Sequence, residues 1–376
     1  MTPVALALIL LATPQQEPPG LLTDDKDGAF DMSKYLLSRG AFMPMPIIIT
    51  EPAVGYGGGL GAAFFHEPPF GDPDAEEDES LQIVPRSVSF AAGGGTEKGA
   101  WFGGAGHFQS WDDGNWRALG AVAYASANLE YFGEGSTIDL GDDPVEYSLR
   151  SSFAVLDLQR RLFGPVFAGA RYLFMDTNVD FEGFTIPPGI GIPEQEFQLR
   201  SAGLGFLVGL DTRDSVMTPT RGFRVDLRPH FYDEALGGDS QFIRFDGTIA
   251  GYLPIPPFLW ATRLQADFVS GESPFYMLPF VELRGVPVLR YFGKEVLSVE
   301  TELEWSITPR WSILGFAGAG RAELREQDLD NGPNVYSGGA GFRYLIARRF
   351  GLKAGIDVGW SDGEGAVYIQ MGTAWR

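Results

Sequence analysis

Three histidines and no cysteine limit the chemistry open to this chain of 376 residues. Without Cys, a thiolate zinc site, an iron–sulfur cluster, a disulfide framework and a cysteine nucleophile are excluded together. Imidazole chemistry rests on His66, His107 and His230. His230 has Asp226 and Asp233 near it in sequence, and Ser148, Ser151 or Ser240 are the serines a lipid hydrolase would pair with it. No spacing among them matches a triad, so the expectation is a protein that is not an enzyme.

Other clusters read the same way. The run Asp72, Asp74, Glu76, Glu77, Asp78, Glu79 offers hard oxygen ligands for divalent cations at a lipopolysaccharide-rich surface, but a solvated acidic loop is the simpler reading. Asp24-Asp25-Lys26-Asp27-Gly28 and Asp112-Asp113-Gly114-Asn115 are similar to fragments of calcium loops. Both lack the spaced bidentate Glu of an EF-hand and read as turns. The glycines at 55–59 and 315–320 precede strands rather than helices, so they cannot cradle a phosphate. No metal and no cofactor is expected.

The elements that would position these residues emerge from composition and periodicity. A net charge of −21 excludes a surface that wraps a nucleic-acid backbone, which needs clustered Lys and Arg. With 44% hydrophobic residues, 50 Gly and 13% aromatics spread along its length, the chain reads as one repetitive all-β unit. Residues 1–16 read as a secretory leader, whose apolar run Pro3 to Ala12 is too short to span a bilayer. Residues 17–43 read as a periplasmic segment, in which Phe30, Tyr35, Leu36 and Leu37 mark a short amphipathic helix over 29–39 that covers or plugs the β-domain. No later apolar run reaches about 18 residues, so any membrane crossing is made by strands.

From residue 44 to 376 the chain breaks into alternating segments. Leu297, Val299, Leu303 and Trp305 fall on one face, and Ser298, Glu300, Glu302 and Glu304 on the other. Phe223, Val225, Leu227 and Phe231 oppose Arg224, Asp226, Arg228 and His230; Trp260, Leu264 and Phe268 oppose Arg263, Gln265 and Asp267. All 8 tryptophans fall near strand ends, where an interfacial girdle belongs. Tight turns, such as Thr308-Pro309-Arg310 and Arg348-Arg349, alternate with long ones such as 325–334. Strands are expected to begin near residues 44, 54, 86, 99, 115, 146, 165, 198, 222, 240, 258, 296, 311, 335, 350 and 365. That makes a transmembrane antiparallel β-barrel of 16 strands. Its last strand is expected to run to Trp375 and serve as a terminal signal. The polar face mixes both signs, Arg224, Arg228, Arg244, Arg263, Arg343 and Lys353 with Asp226, Asp246, Asp267 and Asp357, which favours a plugged interior over a wide pore.

Specific residues carry a family likeness. Gly203-Leu204-Gly205-Phe206 leading into Asp211-Thr212-Arg213-Asp214 and Pro219-Thr220-Arg221-Gly222 resembles a strand and inner turn of the BamA/TamA outer-membrane assembly superfamily. Leu283-Arg284-Gly285 resembles that superfamily's Arg-Gly motif in the loop that folds back into the lumen. Residues 313–316, 338–343 and 355–357 resemble its last barrel motifs, and 46–61 its opening. The resemblance implies that Arg284 pairs with acids on the wall, Asp357 being one. The second acid falls on Gly318, leaving half of this lock to Glu300, Glu302 or Glu304. With some thirty residues between leader and first strand, the chain reads as a short, barrel-only member without periplasmic substrate-binding repeats.

The resemblance implies a bacterial outer-membrane barrel that assists insertion or transport of protein or lipid, with a separate periplasmic protein as partner and outer-membrane lipid and lipopolysaccharide around it. The alternative is a passive channel or structural barrel without assembly activity.

Overall fold

The computed structural model describes residues 20–38, 42–50, 54–66, 87–131, 145–180, 198–323 and 333–375. The leader reading of residues 1–16 and the acidic run at 72–79 lie outside them. A single six-residue helix, α1 (Ser33–Ser38), precedes the strands. Then come β1 (Met43–Ile49), β2 (Gly57–Phe65), β3 (Ser87–Thr96), β4 (Trp101–Trp111), β5 (Trp116–Tyr131), β6 (Val145–Phe163), β7 (Val166–Asp180) and β8 (Gln198–Asp211). The second half adds β9 (Gly222–Tyr232), β10 (Phe242–Ile255), β11 (Phe258–Gly271), β12 (Glu295–Ser306), β13 (Trp311–Glu323), β14 (Asn334–Ala347), β15 (Leu352–Ser361) and β16 (Glu364–Met371).

These 16 strands form one sheet in strict chain order. Each strand pairs antiparallel with the next, as β9, β10 and β11 illustrate. Consecutive pairing of an even number of strands puts both chain ends on the same side. The sheet curls until β1 and β16 lie side by side, without a ladder between them among the described residues. The result is a nearly closed barrel.

Register carries the alternation around the wall. Leu303 faces Trp260 on one neighbour and Gly315 on the other, all outward, while Glu302 faces Ala261 and Phe316. Phe223, Leu227 and Phe231 stay exposed on the outside; Asp226 and His230 are buried inside. On β4, Trp101 stacks on Tyr124 at one end, and Trp111 stacks on Trp116 at the other. An 11-residue strand rising about 3.4 Å per residue and tilted about 40° spans roughly 28 Å, close to the apolar band of an outer-membrane barrel.

Two expectations change. The helix covers six residues, because the chain before it is held extended by a bridge between Thr23 and Phe30. It starts where the Asp31 carboxylate accepts the Ser33 N–H at 2.7 Å. The final strand stops at Met371, and Gly372, with φ of 85°, turns the chain. Its N–H donates to the Lys353 carbonyl, and the next N–H donates to the Met217 carbonyl. Residues 372–375 therefore fold inward under the barrel. Trp375 therefore lies outside the outer girdle and beyond the last strand, buried beside Tyr252 and Ala261.

The N-terminal segment closes the same end. Arg310, in the β12–β13 turn, donates from Nη1 to Asp31 at 2.6 Å and from Nε to Asp27 at 2.8 Å, and also pairs with Asp24. Arg348, in the β14–β15 turn, pairs with Asp24 and Asp27, and its N–H donates to Asp31. The Asp24-to-Gly28 turn thus holds arginines. The Arg310 hydrogen bond holds the Asp27 carboxyl down at about 2. For Asp31, burial acts to raise the carboxyl, but hydrogen bonds from Ser33, the Arg348 N–H and Arg310 outweigh it and leave it below the ordinary range.

Candidate functional site: the loop inside the lumen

Residues 272–294 join β11 to β12. The segment is largely apolar, so staying in water would leave Phe275, Met277, Leu278, Val281, Leu283 and Val286 solvated. Burial of such side chains contributes roughly 1.5–3 kcal/mol each. The chain folds back into the barrel instead. Val281, Leu283, Val286 and Tyr291 pack against Val296, Ala322 and Val335 of the wall, and Met277 and Leu278 against Tyr232, Phe242 and Val269. Wall glycines make the room: a Cβ at Gly320 would lie 2.5 Å from Val281 and one at Gly318 2.9 Å from Leu283.

Arg284 is buried within this loop. Its Nε donates to Glu300 Oε1 at 2.8 Å and its Nη2 lies 2.7 Å from the same oxygen, while its own N–H donates to Oε2 at 3.0 Å. Nη1 lies 2.7 Å from both Glu302 Oε2 and Asp357 Oδ2. The guanidinium carbon lies 3.7 Å over the centroid of the Phe316 ring. Glu300 is 1% exposed and Asp357 0%. Such acids are tolerated in a low-dielectric interior only with partners. Arg343 supplies Asp357 with a second one, donating from both terminal nitrogens at 2.5 and 2.9 Å.

Of the residues expected here, the structure brings Arg284, Glu300, Glu302 and Asp357 together. Glu304 lies elsewhere: it accepts from Lys353 and from the Ser312 hydroxyl, each at 2.5 Å. Two residues along a strand is about 7 Å, which puts its carboxylate beyond the guanidinium and beside the terminus-bearing end. The acid lost at Gly318 is replaced across the ladder, since Gly318 stands directly opposite Glu300. Gly285 follows with φ of 94°, and a Cβ there would come within 2.6 Å of the Trp360 nitrogen. Glycine is required on both counts.

Sequence reasoning missed how the loop is tied to the last strands. The Gly285 N–H donates to the Tyr368 hydroxyl at 2.9 Å, Arg290 pairs with Glu364 at 2.7 Å, and the Tyr291 hydroxyl donates to Asp362 at 2.6 Å. Trp375 Nε1 donates to Glu300 Oε1 at 2.8 Å. These partners lie seventy or more positions away, and only strand order reveals them. The rest of the lumen is salt-bridged: Asp157 with Arg171, Asp226 with Arg224 and Arg228, Asp246 with Arg244. Beside the Arg284 cluster a cavity of about 200 Å³ remains, lined by Arg263, Glu282, Tyr368 and Gln370.

The hydrolase residues do not assemble. His230 Nδ1 faces the Arg228 carbonyl at 3.2 Å and Asp246 at 3.5 Å, and Ser151 bonds Thr177. The inner turn at 211–222, between β8 and β9, is held by its own side chains. Arg213 donates to both oxygens of Asp211 at 2.9 Å, and Asp214 accepts the Thr220 and Arg221 N–H groups.

The Omp85 superfamily domain model matches residues 168–283, from β7 through the inner turn to the residue before Arg284. Over that stretch the chain is similar to the Omp85 superfamily. Among solved structures, BamA from Haemophilus ducreyi lacking POTRA domains 1-3 is similar, with a TM-score of 0.56 and 11% identity over 88% of this chain and 69% of that one. CdiB from Escherichia coli has a TM-score of 0.58 at 13% identity, covering 88% of this chain and 62% of its own. CdiB from Acinetobacter baumannii has a TM-score of 0.56 at 9% identity, covering 88% and 59%. No curated protein matches the sequence. At these identities the likeness concerns the fold alone, an antiparallel β-barrel shared with those proteins.

Proposed function

We propose that this Omp85-like barrel assists insertion or translocation of polypeptide at the bacterial outer membrane, with a periplasmic protein delivering the client. The observation that carries this reading is the seam. β1 and β16 adjoin without a ladder among the described residues, and at 7 and 8 residues they are the two shortest strands of the wall. An unladdered strand edge is a template on which an incoming strand can add. Short strands at that edge thin the apolar band the client must cross. The loop in the lumen is fastened to β15 and β16 through Asp357, Glu364 and Tyr368, so its release would loosen one side of the seam. The passive-channel alternative draws no support from a lumen filled by this loop.

The chain has no native cysteine, so one Cys in β1 and one in β16 form a background-free tether. Insertion of an unfolded barrel client into liposomes carrying the oxidised protein is expected to fall to the protein-free level and to recover on reduction. Equal insertion with the seam tethered would overturn the reading.

A further inference from the structure

The outer wall holds a polar cluster where hydrocarbon is expected. The Ser89 hydroxyl lies 2.8 Å from His66 Nε2 and 2.9 Å from His107 Nδ1. All three point outward. Phe64, Ser89, His107, Gly120 and Leu156 form one cross-strand row from β2 to β6. The opposite face of β5 carries Leu129, which packs on the lumen loop. Polar and ionisable side chains on a lipid-facing surface are costly and rare, and mark function by default.

The cluster borders a hollow of about 870 Å³ in the same face. Its floor is Ala91, Ala105 and Gly120, and its sides are Phe64 on one hand and Val122 and Leu156 on the other. Small residues on neighbouring strands leave a trough in a wall that elsewhere presents Leu, Ile and Phe. β2 ends at Phe65 beside the cluster, and this end of β2 pairs with the start of β1, so the polar groups lie toward the end of the wall that carries the chain termini. Farther along the same face, Trp111 and Trp116 stack, and the Arg160 guanidinium lies 5.0 Å over the Trp116 ring. A trough for a hydrocarbon chain, with hydrogen-bonding groups at one end and a cation beyond it, matches one amphiphile with a negative headgroup.

We propose that this hollow seats a single anionic phospholipid of the leaflet on the side of the chain termini, one acyl chain along the Ala91–Ala105–Gly120 floor and the phosphate on His66, Ser89 and His107. The hydrogen bonds permit it. Ser89 donates to one ring and accepts from the other, so the second nitrogen of each imidazole faces away from the hydroxyl. One of these nitrogens then carries a proton for a phosphate oxygen.

Native mass spectrometry of the full chain in detergent, with phosphatidylglycerol or uncharged diacylglycerol added, tests the seat. The wild type is expected to keep one phosphatidylglycerol at least tenfold over diacylglycerol. Ala105→Phe fills the trough from the lipid side and should lose both lipids. His107→Leu with Ser89→Ala keeps the trough and should retain both lipids equally, losing the tenfold preference. Heat-modifiable gel mobility checks that each variant is a folded barrel. Lipid retained in Ala105→Phe, a preference surviving in the double variant, or a wild type that instead carries a second copy on this wall would each overturn the proposal.

Discussion

Removing the Arg284 guanidinium separates the contributions that hold the loop inside. Arg284→Ala deletes the contacts at 2.7–2.8 Å to Glu300, Glu302 and Asp357 and the contact with the Phe316 ring. Asp357 keeps Arg343, and Glu300 keeps the Trp375 indole N–H and the backbone N–H of position 284 but loses its cationic partner. Breaking a buried pair from one side costs about 3–5 kcal/mol. At 1.4 kcal/mol per decade, the loop-released population rises roughly 150- to 4,000-fold. The apolar anchors remain, and the three nearest to position 284 in sequence, Val281, Leu283 and Val286, are each 5% exposed or less. Together they contribute roughly 5–9 kcal/mol, so the variant still spends most of its time closed. Planar-bilayer recordings are therefore expected to show a silent wild type and brief, frequent openings in Arg284→Ala. Adding Val281→Ser should lengthen the openings. A folded Arg284→Ala variant as silent as the wild type, or a wild type with steady large conductance, would refute the reasoning.

The same contacts set other outcomes. Gly285→Ala meets both a positive φ and the Trp360 backbone, and should lower the unfolding temperature in heat-mobility gels while leaving Gly363→Ala, with nothing near its Cβ, less affected. Trp375→Ala removes a buried indole and the Glu300 bond, a loss of about 3–5 kcal/mol by analogy with core truncations, read as a lower denaturation midpoint; an unchanged midpoint would remove Trp375 from the lumen. For the N-terminal segment, the Asp27 carboxyl lies at about 2, below its ordinary 3.8. A depressed carboxylate supports attachment above its unfolded value and loses it as pH falls through the folded one, so pepsin should begin to cleave residues 20–38 only as pH drops from about 4 toward 2. Arg310→Ala should open Lys26 to trypsin at neutral pH, and resistance there would argue against the arginine anchor.

Periodicity made the wall legible because each strand has one lipid face and one charged face, and the pattern repeats at every turn. Phe223 to Phe231 and Leu297 to Trp305 needed no tertiary information. The strand starts fall within three residues of those expected, since Gly, Pro and charge mark the ends. Trp375 misled because an aromatic near a chain end looks alike whether it sits on a girdle or turns inward, and only the left-handed Gly372 decides between them. Glu304 shares a face with Glu300 and Glu302, yet a guanidinium reaches only the nearer two; period-two patterning gives the face and not the depth. His66, Ser89 and His107 are far apart in sequence, and their meeting depends on register, which local sequence does not contain.

The central claim, a lumen closed by the loop around Arg284, is open to one direct measurement. Gly318 faces Leu283 so closely that a Cβ there would touch the leucine side chain. In a chain without native cysteine, Leu283→Cys with Gly318→Cys should be joined nearly completely by a short thiol cross-linker in intact outer membranes, before any extraction. The joined species should be lost in Arg284→Ala with Val281→Ser. Free thiols at both positions in the folded Leu283→Cys, Gly318→Cys protein would place the loop outside the lumen and contradict the account.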